Sequence, residues 1–182
     1  RRCEDGGVVV VVTAPIGMAG EQAEAVAGHL VDQVVLGDSI AGLQLLDARR
    51  LAGVRRSFST RRVDLPEQLA LVSEGVAPRS GDLVLARVVH LGQHTKLELP
   101  EGRRSQMYLG DEIIVAYGHR YAPDQFESEV PADLDECHLV AAGGIASRQI
   151  SKHTRVKHST RIKPLGLLAR PDGTPLNLSD WR

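Results

Sequence analysis

The sequence predicts a mixed α/β (α+β) chain: a small N-terminal βα unit over residues 1–76, then a barrel-like, mainly antiparallel β domain over residues 77–182. Three observations carry this. A β-branched run at residues 8–12 is followed by a stripe of apolar residues at helical spacing. From residue 79 onward the texture changes to short apolar runs broken by Gly, Pro and Asp. A Pro171-Asp172-Gly173 turn then separates two apolar stretches near the end.

Taken in order, residues 8–12 suit a strand buried on both faces, and residues 13–17 suit a turn. A helix is expected over residues 20–34, with Ala23, Val26, Ala27, Leu30, Val31 and Val34 on one face and Glu21 and Glu24 in its first turns, where the helix dipole favours acid. A second helix is expected over residues 40–52, followed by a cluster of arginines and a strand over residues 57–64. Pro66 suits the first residue of a short helix closed by Gly75, with Leu69, Val72 and Val76 buried. Beyond a boundary near residues 75–79, strands are expected at residues 82–91, 95–99, 112–117, 126–130 and 137–142, and a hairpin joins residues 165–169 to 174–178.

Bulk composition narrows the function classes. Aromatics make up only 3% of the chain, so the core must be built from Val, Leu, Ile and Ala. Basic and acidic residues nearly balance, 22 against 23, so no whole-molecule field steers nucleic acid or an anionic membrane. The two cysteines, Cys3 and Cys137, form no CxxC pair, and neither zinc nor a disulfide framework is indicated. The apolar run at residues 8–12 is too short to span a bilayer, and no signal peptide is evident, so a cytoplasmic location is expected. The chain opens on Arg1, which leaves room for a catalytic domain outside these residues or for a homo-oligomer.

One internal echo stands out: Ser80-Gly81-Asp82-Leu83-Val84 against Leu109-Gly110-Asp111-Glu112-Ile113. Glycine permits a sharp turn and aspartate accepts from turn amides. Paired Gly-Asp turns of this kind, over residues 80–118, resemble the GD box of cradle-loop β-barrels, and the stretch after Gly81 is similar to an OB-type strand entry. The resemblance implies a barrel. It implies no single activity, because such barrels host DNA binding, cofactor binding and catalysis alike.

Four segments are candidates for chemistry, each with a plain structural alternative. Residues 13–20 sit between a strand and a helix as a phosphate loop would, but lack its Gly-Lys-Ser/Thr ending, and an ordinary βα turn is the better reading. Residues 117–127 are chemically dense: Gly118 can turn the backbone, His119, Arg120 and Tyr121 supply donors, and Asp124, Gln125 and Glu127 supply acceptors. Arg120 would serve as a fork for carboxylate or phosphate; the alternative is a surface loop pinned by an ion pair from Arg120 to Asp124 or Glu127. Residues 137–148 read as a strand, a Gly143-Gly144 turn and a helix start, where exposed amides with Ser147 and Arg148 could cradle an anion; the alternative is tight packing. Residues 148–163 carry six Lys or Arg and no acid, which suits phosphate backbones; the alternative is a solvated stretch balanced by the acidic residues 124–136. The absence of any aromatic there counts against single-strand recognition.

The histidines show no metal-binding spacing, Cys137 lies in an apolar strand pattern where a thiol is inert, and Ser147 lacks a nucleophile elbow. The reading is therefore recognition of an anionic small molecule, with loop 118–127 and turn 143–148 as walls and Arg120 and Gly144 on one pocket. No cofactor is assigned. Two alternatives remain: an enzyme using His119 or Asp124 as general base with Arg120 as clamp, and a nucleic-acid-binding barrel using residues 148–163.

Overall fold

The computed structural model of the chain describes residues 42–181. The chain divides into two units, Arg1–Asp38 and Ser39–Arg182. The expected strand at residues 8–12, the helix at 20–34 and the loop at 13–20 all lie outside the described residues. The boundary expected near residues 75–79 falls inside the second unit.

The described residues are mostly β. In chain order they form β1 (Leu43–Leu46), a one-turn helix α1 (Ala48–Ala52), β2 (Arg55–Arg56), a 3₁₀ turn (Phe58–Thr60), β3 (Leu69–Val72), β4 (Leu83–His90), β5 (Lys96–Glu98) and β6 (Arg104–Gln106). There follow β7 (Glu112–Tyr117), β8 (Arg120–Tyr121), β9 (Phe126–Glu129), β10 (Cys137–Ala141), β11 (Ile145–Lys152), β12 (Thr160–Ala169) and a closing 3₁₀ turn (Leu178–Trp181). No helix among the described residues is long and apolar enough to cross a membrane.

The strands build one ten-stranded mixed sheet, ordered β1-β3-β12-β4-β7-β11-β9-β8, with β2 beside β7 and β10 beside both β11 and β12; β5 and β6 form a separate hairpin. Most neighbours are antiparallel, but β7 runs parallel to β2 and to β11. The expected barrel-like domain is corrected to this large branched sheet, which is not a closed barrel. β10 bridges β11 and β12 and folds the sheet back over a core. The β7–β11 join, however, rests only on Ile145↔Ala116 and Ala146↔Tyr117, and bulges interrupt β10–β11 and β12–β4.

The centre of the sheet is buried on both faces. Along β4, Val84, Ala86 and Val88 enter one core with Ile113, Val115 and Tyr117 of β7, while Leu83 and Leu85 enter the other with Ile114 and Ala116. The first core is completed by Leu97, Met107, Cys137, Leu139 and Ile162, and the second by Leu46, Leu69, Leu71, Leu168 and Leu176. Two-sided burial is why these strands read as continuous apolar runs.

Three expectations from the first half of the described chain are corrected. The helix expected over residues 40–52 is strand β1 followed by the short α1, because Asp47 caps the helix start, its side chain accepting from Arg49 N–H at 2.9 Å, and Gly53 ends it. The helix expected after Pro66 is strand β3, paired to β1 on one side and β12 on the other, with all four residues buried. The strand expected over residues 57–64 is the 3₁₀ turn, held by Thr60 Oγ1 donating to the Ser57 carbonyl at 2.9 Å and by the Arg56 guanidinium donating to the Thr60 and Val63 carbonyls, each at 2.6 Å.

The sequence echo is a structural repeat. Gly81 donates its N–H to the Tyr117 carbonyl at 2.8 Å, and Tyr117 N–H returns a bond to the Asp82 carbonyl at 2.9 Å. Gly110 donates to the Val88 carbonyl, and Val88 N–H returns to the Asp111 carbonyl, both at 2.9 Å. Because β4 and β7 are antiparallel, each Gly-Asp turn docks on the far end of the other's strand. Both glycines are left-handed, with φ of +91° and +88°.

Candidate functional site

β8 and β9 form a short hairpin that leaves the end of β7. Arg120 faces Ser128 and Tyr121 faces Glu127 in register, and the turn is closed by Ala122 N–H on the Phe126 carbonyl and Gln125 N–H on the Ala122 carbonyl, both at 2.9 Å. Phe126 and Ser128 are buried while Glu127 and Glu129 are exposed, the alternation of a strand with one solvated face. His119 and Asp124, the two candidate general bases, lie at opposite ends of this hairpin. His119 Nδ1 accepts from Val130 N–H at 3.4 Å at the open end, and Asp124 is exposed in the turn.

Arg120 donates through Nη2 to Gln125 Oε1 at 2.8 Å. The ion pair with Asp124 or Glu127 that the surface-loop alternative offered is replaced by this amide contact, and the Arg120 Nε is closed off from solvent without a partner. Its charge is felt by His94, whose ring packs edge-to-face on Phe126 at 5.9 Å between centroids and lies 3.2 Å by Nε2 from the Val140 carbonyl. Burial holds the His94 imidazole below its ordinary range; the Val140 carbonyl opposes this, and Arg120 and Arg104 add to it.

β11 supplies the facing wall. β9 pairs with β11 so that Ser151 stands opposite Glu127 and Lys152 opposite Phe126. Ser151 Oγ donates to Glu127 Oε2 at 3.0 Å, and Lys152 Nζ donates to the Val156 carbonyl at 3.0 Å. His153 N–H donates to the Gln125 carbonyl at 2.8 Å, tying the two walls together. Between them is a surface cleft of about 390 Å³, lined by Tyr121, Gln125, Glu127, Ser151, Lys152 and His153 together with Ala122, Pro123 and Thr154. Tyr121, Gln125 and Glu127 of the expected loop lie on it; Lys152 and His153 come from the basic stretch 148–163, whose meeting with this loop was not expected, and Ser151 and Thr154 were not singled out.

The glycine turn lies elsewhere. The helix start expected after Gly144 is strand β11, and Gly144 is buried, with a carbonyl that accepts from Ala116 N–H at 3.1 Å and Ser59 Oγ at 2.9 Å. Its N–H is bonded to the Ala141 carbonyl at 3.0 Å, and the Gly143 carbonyl accepts from Ser59 N–H at 2.8 Å. A side chain at Gly144 would overlap Ser57. Close packing of the 3₁₀ turn on the strand end accounts for this glycine without a ligand. Ser147 is buried and donates to the Gly118 carbonyl, and Arg148 pairs with Asp133 at 3.2 Å. Loop 118–127 therefore shares its cleft with residues 151–154. Gly143, Gly144, Ser147 and Arg148 do not line that cleft.

The basic stretch divides in two. Arg148, Arg161 and Lys163 face Asp133, Glu136 and Asp135 at 3.2, 2.8 and 3.9 Å, the balance by acid that the sequence offered as one alternative. Lys152 and His153 turn to the cleft instead. In the first core, burial pushes the Cys137 thiol up to about 12, opposed by the neighbouring Tyr117 hydroxyl, and raises that hydroxyl as well. Comparison with family models, with curated proteins and with solved structures finds no match to this chain.

Proposed function

We propose that the chain is a recognition unit for a small anionic molecule, phosphate- or carboxylate-bearing, held in the cleft between the β8–β9 turn and the end of β11. The observation that carries this is the meeting of loop 118–127 with Lys152 and His153 in one cleft, while three neighbouring cations are matched by carboxylates. Small ligands favour concave sites with a few convergent polar groups. A nucleic-acid surface is the weaker reading, because Arg148, Arg161 and Lys163 are already paired. A reaction run from His119 or Asp124 as general base is weaker too, since neither residue lines the cleft. A cytoplasmic setting accords with the free, buried thiol of Cys137.

The test is a nuclear magnetic resonance titration of the chain with inorganic phosphate and, separately, acetate. Shifts should concentrate on Tyr121, Gln125 and residues 151–153. Lys152→Met should weaken binding about tenfold, the loss expected for one hydrogen bond to a charged group. Shifts confined to Arg155 and Lys157, or none at all, would sink the reading.

A further inference from the structure

We infer that the polarity of this cleft is fixed from behind, by Arg120 and by the main-chain N–H of Arg155, so that it offers donors to an oxyanion, and that Arg120 is a positioning residue for Gln125 rather than a contact to the ligand. The inference rests on the proposed anion site and specifies how that site selects.

A guanidinium has only donors, so the Gln125 atom 2.8 Å from Arg120 Nη2 must be the carbonyl oxygen. The amide is thereby oriented with its Nε2 hydrogens left for the cleft that Gln125 lines. His153 is set in the same way. Its Nδ1 accepts from Arg155 N–H at 3.2 Å, so the neutral ring carries its proton on Nε2 and donates there. Lys152 Nζ gives one hydrogen to the Val156 carbonyl and keeps two. The one carboxylate on the cleft, Glu127, is partly engaged by Ser151 Oγ. Three residues of the cleft thus present donors, and two have had their acceptor ends occupied by other parts of the chain. A ligand that matches them brings several acceptor oxygens, as a phosphate or a carboxylate does, and not an amine or an amide N–H. Arg120 itself is half-buried with Nε closed off, its Nη2 ends on Gln125, and it does not line the cleft.

The experiment is a double-mutant cycle on the full chain, with dissociation constants for inorganic phosphate and for acetate measured by titration. Arg120→Met and Gln125→Met should each weaken the preferred oxyanion about tenfold, and the double variant should be within about twofold of Gln125→Met alone, because the two act as one unit. Losses that multiply would show Arg120 touching the anion itself and would overturn the inference. So would Gln125→Met binding as wild type does while Lys152→Met abolishes binding, a result that leaves the anion site standing. If the wild-type chain binds neither anion, the site itself fails and takes the inference with it. A readout that needs no variant is the Gln125 side-chain amide signal, which should move on adding the bound anion. A signal that stays still while the Lys152 and His153 signals move also overturns the assignment.

Discussion

The two Gly-Asp turns share one backbone and differ in what covers them. Asp82 is buried and accepts from Arg79 N–H at 2.7 Å and from Asn177 Nδ2 at 2.8 Å. Asp111 is partly exposed and accepts from Tyr108 N–H at 2.6 Å and from the Arg55 guanidinium. The first turn is sealed by a neutral amide from the C-terminal segment, which also bonds Leu83 N–H to the Leu176 carbonyl at 2.9 Å. The second is sealed by a cation from β2, whose guanidinium also reaches Ser105 Oγ at 2.9 Å. The shared part is what strand entry requires: a left-handed glycine and an acceptor for the turn amide. The cover is free to vary, and it decides how much each turn contributes.

The comparison breaks most readily at the aspartates. Asp82→Ala takes a buried acceptor away from Arg79 N–H and the Asn177 amide and should cost about 3 kcal/mol in urea unfolding, whereas Asp111→Ala, at a partly exposed site, should cost about half of that. Equal costs would mean that burial of the turn does not matter. The glycines come next. Gly81→Ala suffers the left-handed penalty of roughly 1–2 kcal/mol and also places a Cβ 2.6 Å from Asn177 Oδ1, while Gly110→Ala suffers the penalty alone. The first variant should be less stable by about a further 1 kcal/mol, the order expected for disturbing the Asn177 hydrogen bonds. Salt separates the two turns more finely. In molar salt the cost of Asp111→Ala should shrink by about 0.5 kcal/mol, as its partly exposed ion pair is screened, and that of Asp82→Ala should shrink less, because its own ion pair, with Arg79, is longer at 3.8 Å.

The docking residues give a smaller contrast. Tyr117 receives the first turn and Val88 the second, and the Tyr117 hydroxyl is buried beside the Cys137 thiol with no hydrogen-bond partner of its own. Tyr117→Phe removes that burden, and stability should change by less than about 1 kcal/mol, in the stabilising direction. Acid should leave the comparison untouched. His94 and His138 are both held below the ordinary value of 6.5, chiefly by burial. The unfolded chain then binds more protons than the fold as pH drops through 6.5, so wild-type stability falls there and levels off below the folded-state values. His94→Gln should flatten part of that fall, while the difference between the two aspartate variants stays constant from pH 8 to pH 6.

Much of the second half was legible in the sequence. The strand at residues 112–117 is β7, residues 82–91 contain β4 and residues 137–142 contain β10, because apolar runs bounded by Gly, Asp and Pro have few other local solutions. The turn at residues 171–173 forms as expected, with Arg170 N–H on the Thr174 carbonyl at 2.9 Å. Of the candidate site, loop 118–127 was legible from its density of donors and acceptors, and the basic stretch from its charge. Their meeting was not.

What the sequence by itself determined is therefore local: turn chemistry, the two-sided strands β4 and β7, and the inert thiol of Cys137. Tertiary structure alone decided the rest. Leu69–Val72 is apolar at every position and has no period, so a helix and a doubly buried strand fit it equally until β1 and β12 pair with it. Ile145–Lys152 is polar enough to pass for a loop or helix start, and becomes a strand because β10, β7 and β9 supply its ladder partners. The same pairing sets Lys152 opposite Phe126 and so makes a cleft from two segments distant in sequence. The physical reason is that register between strands is fixed by backbone hydrogen bonds and shared burial across long separations, and neither leaves a mark in the local spacing of residues.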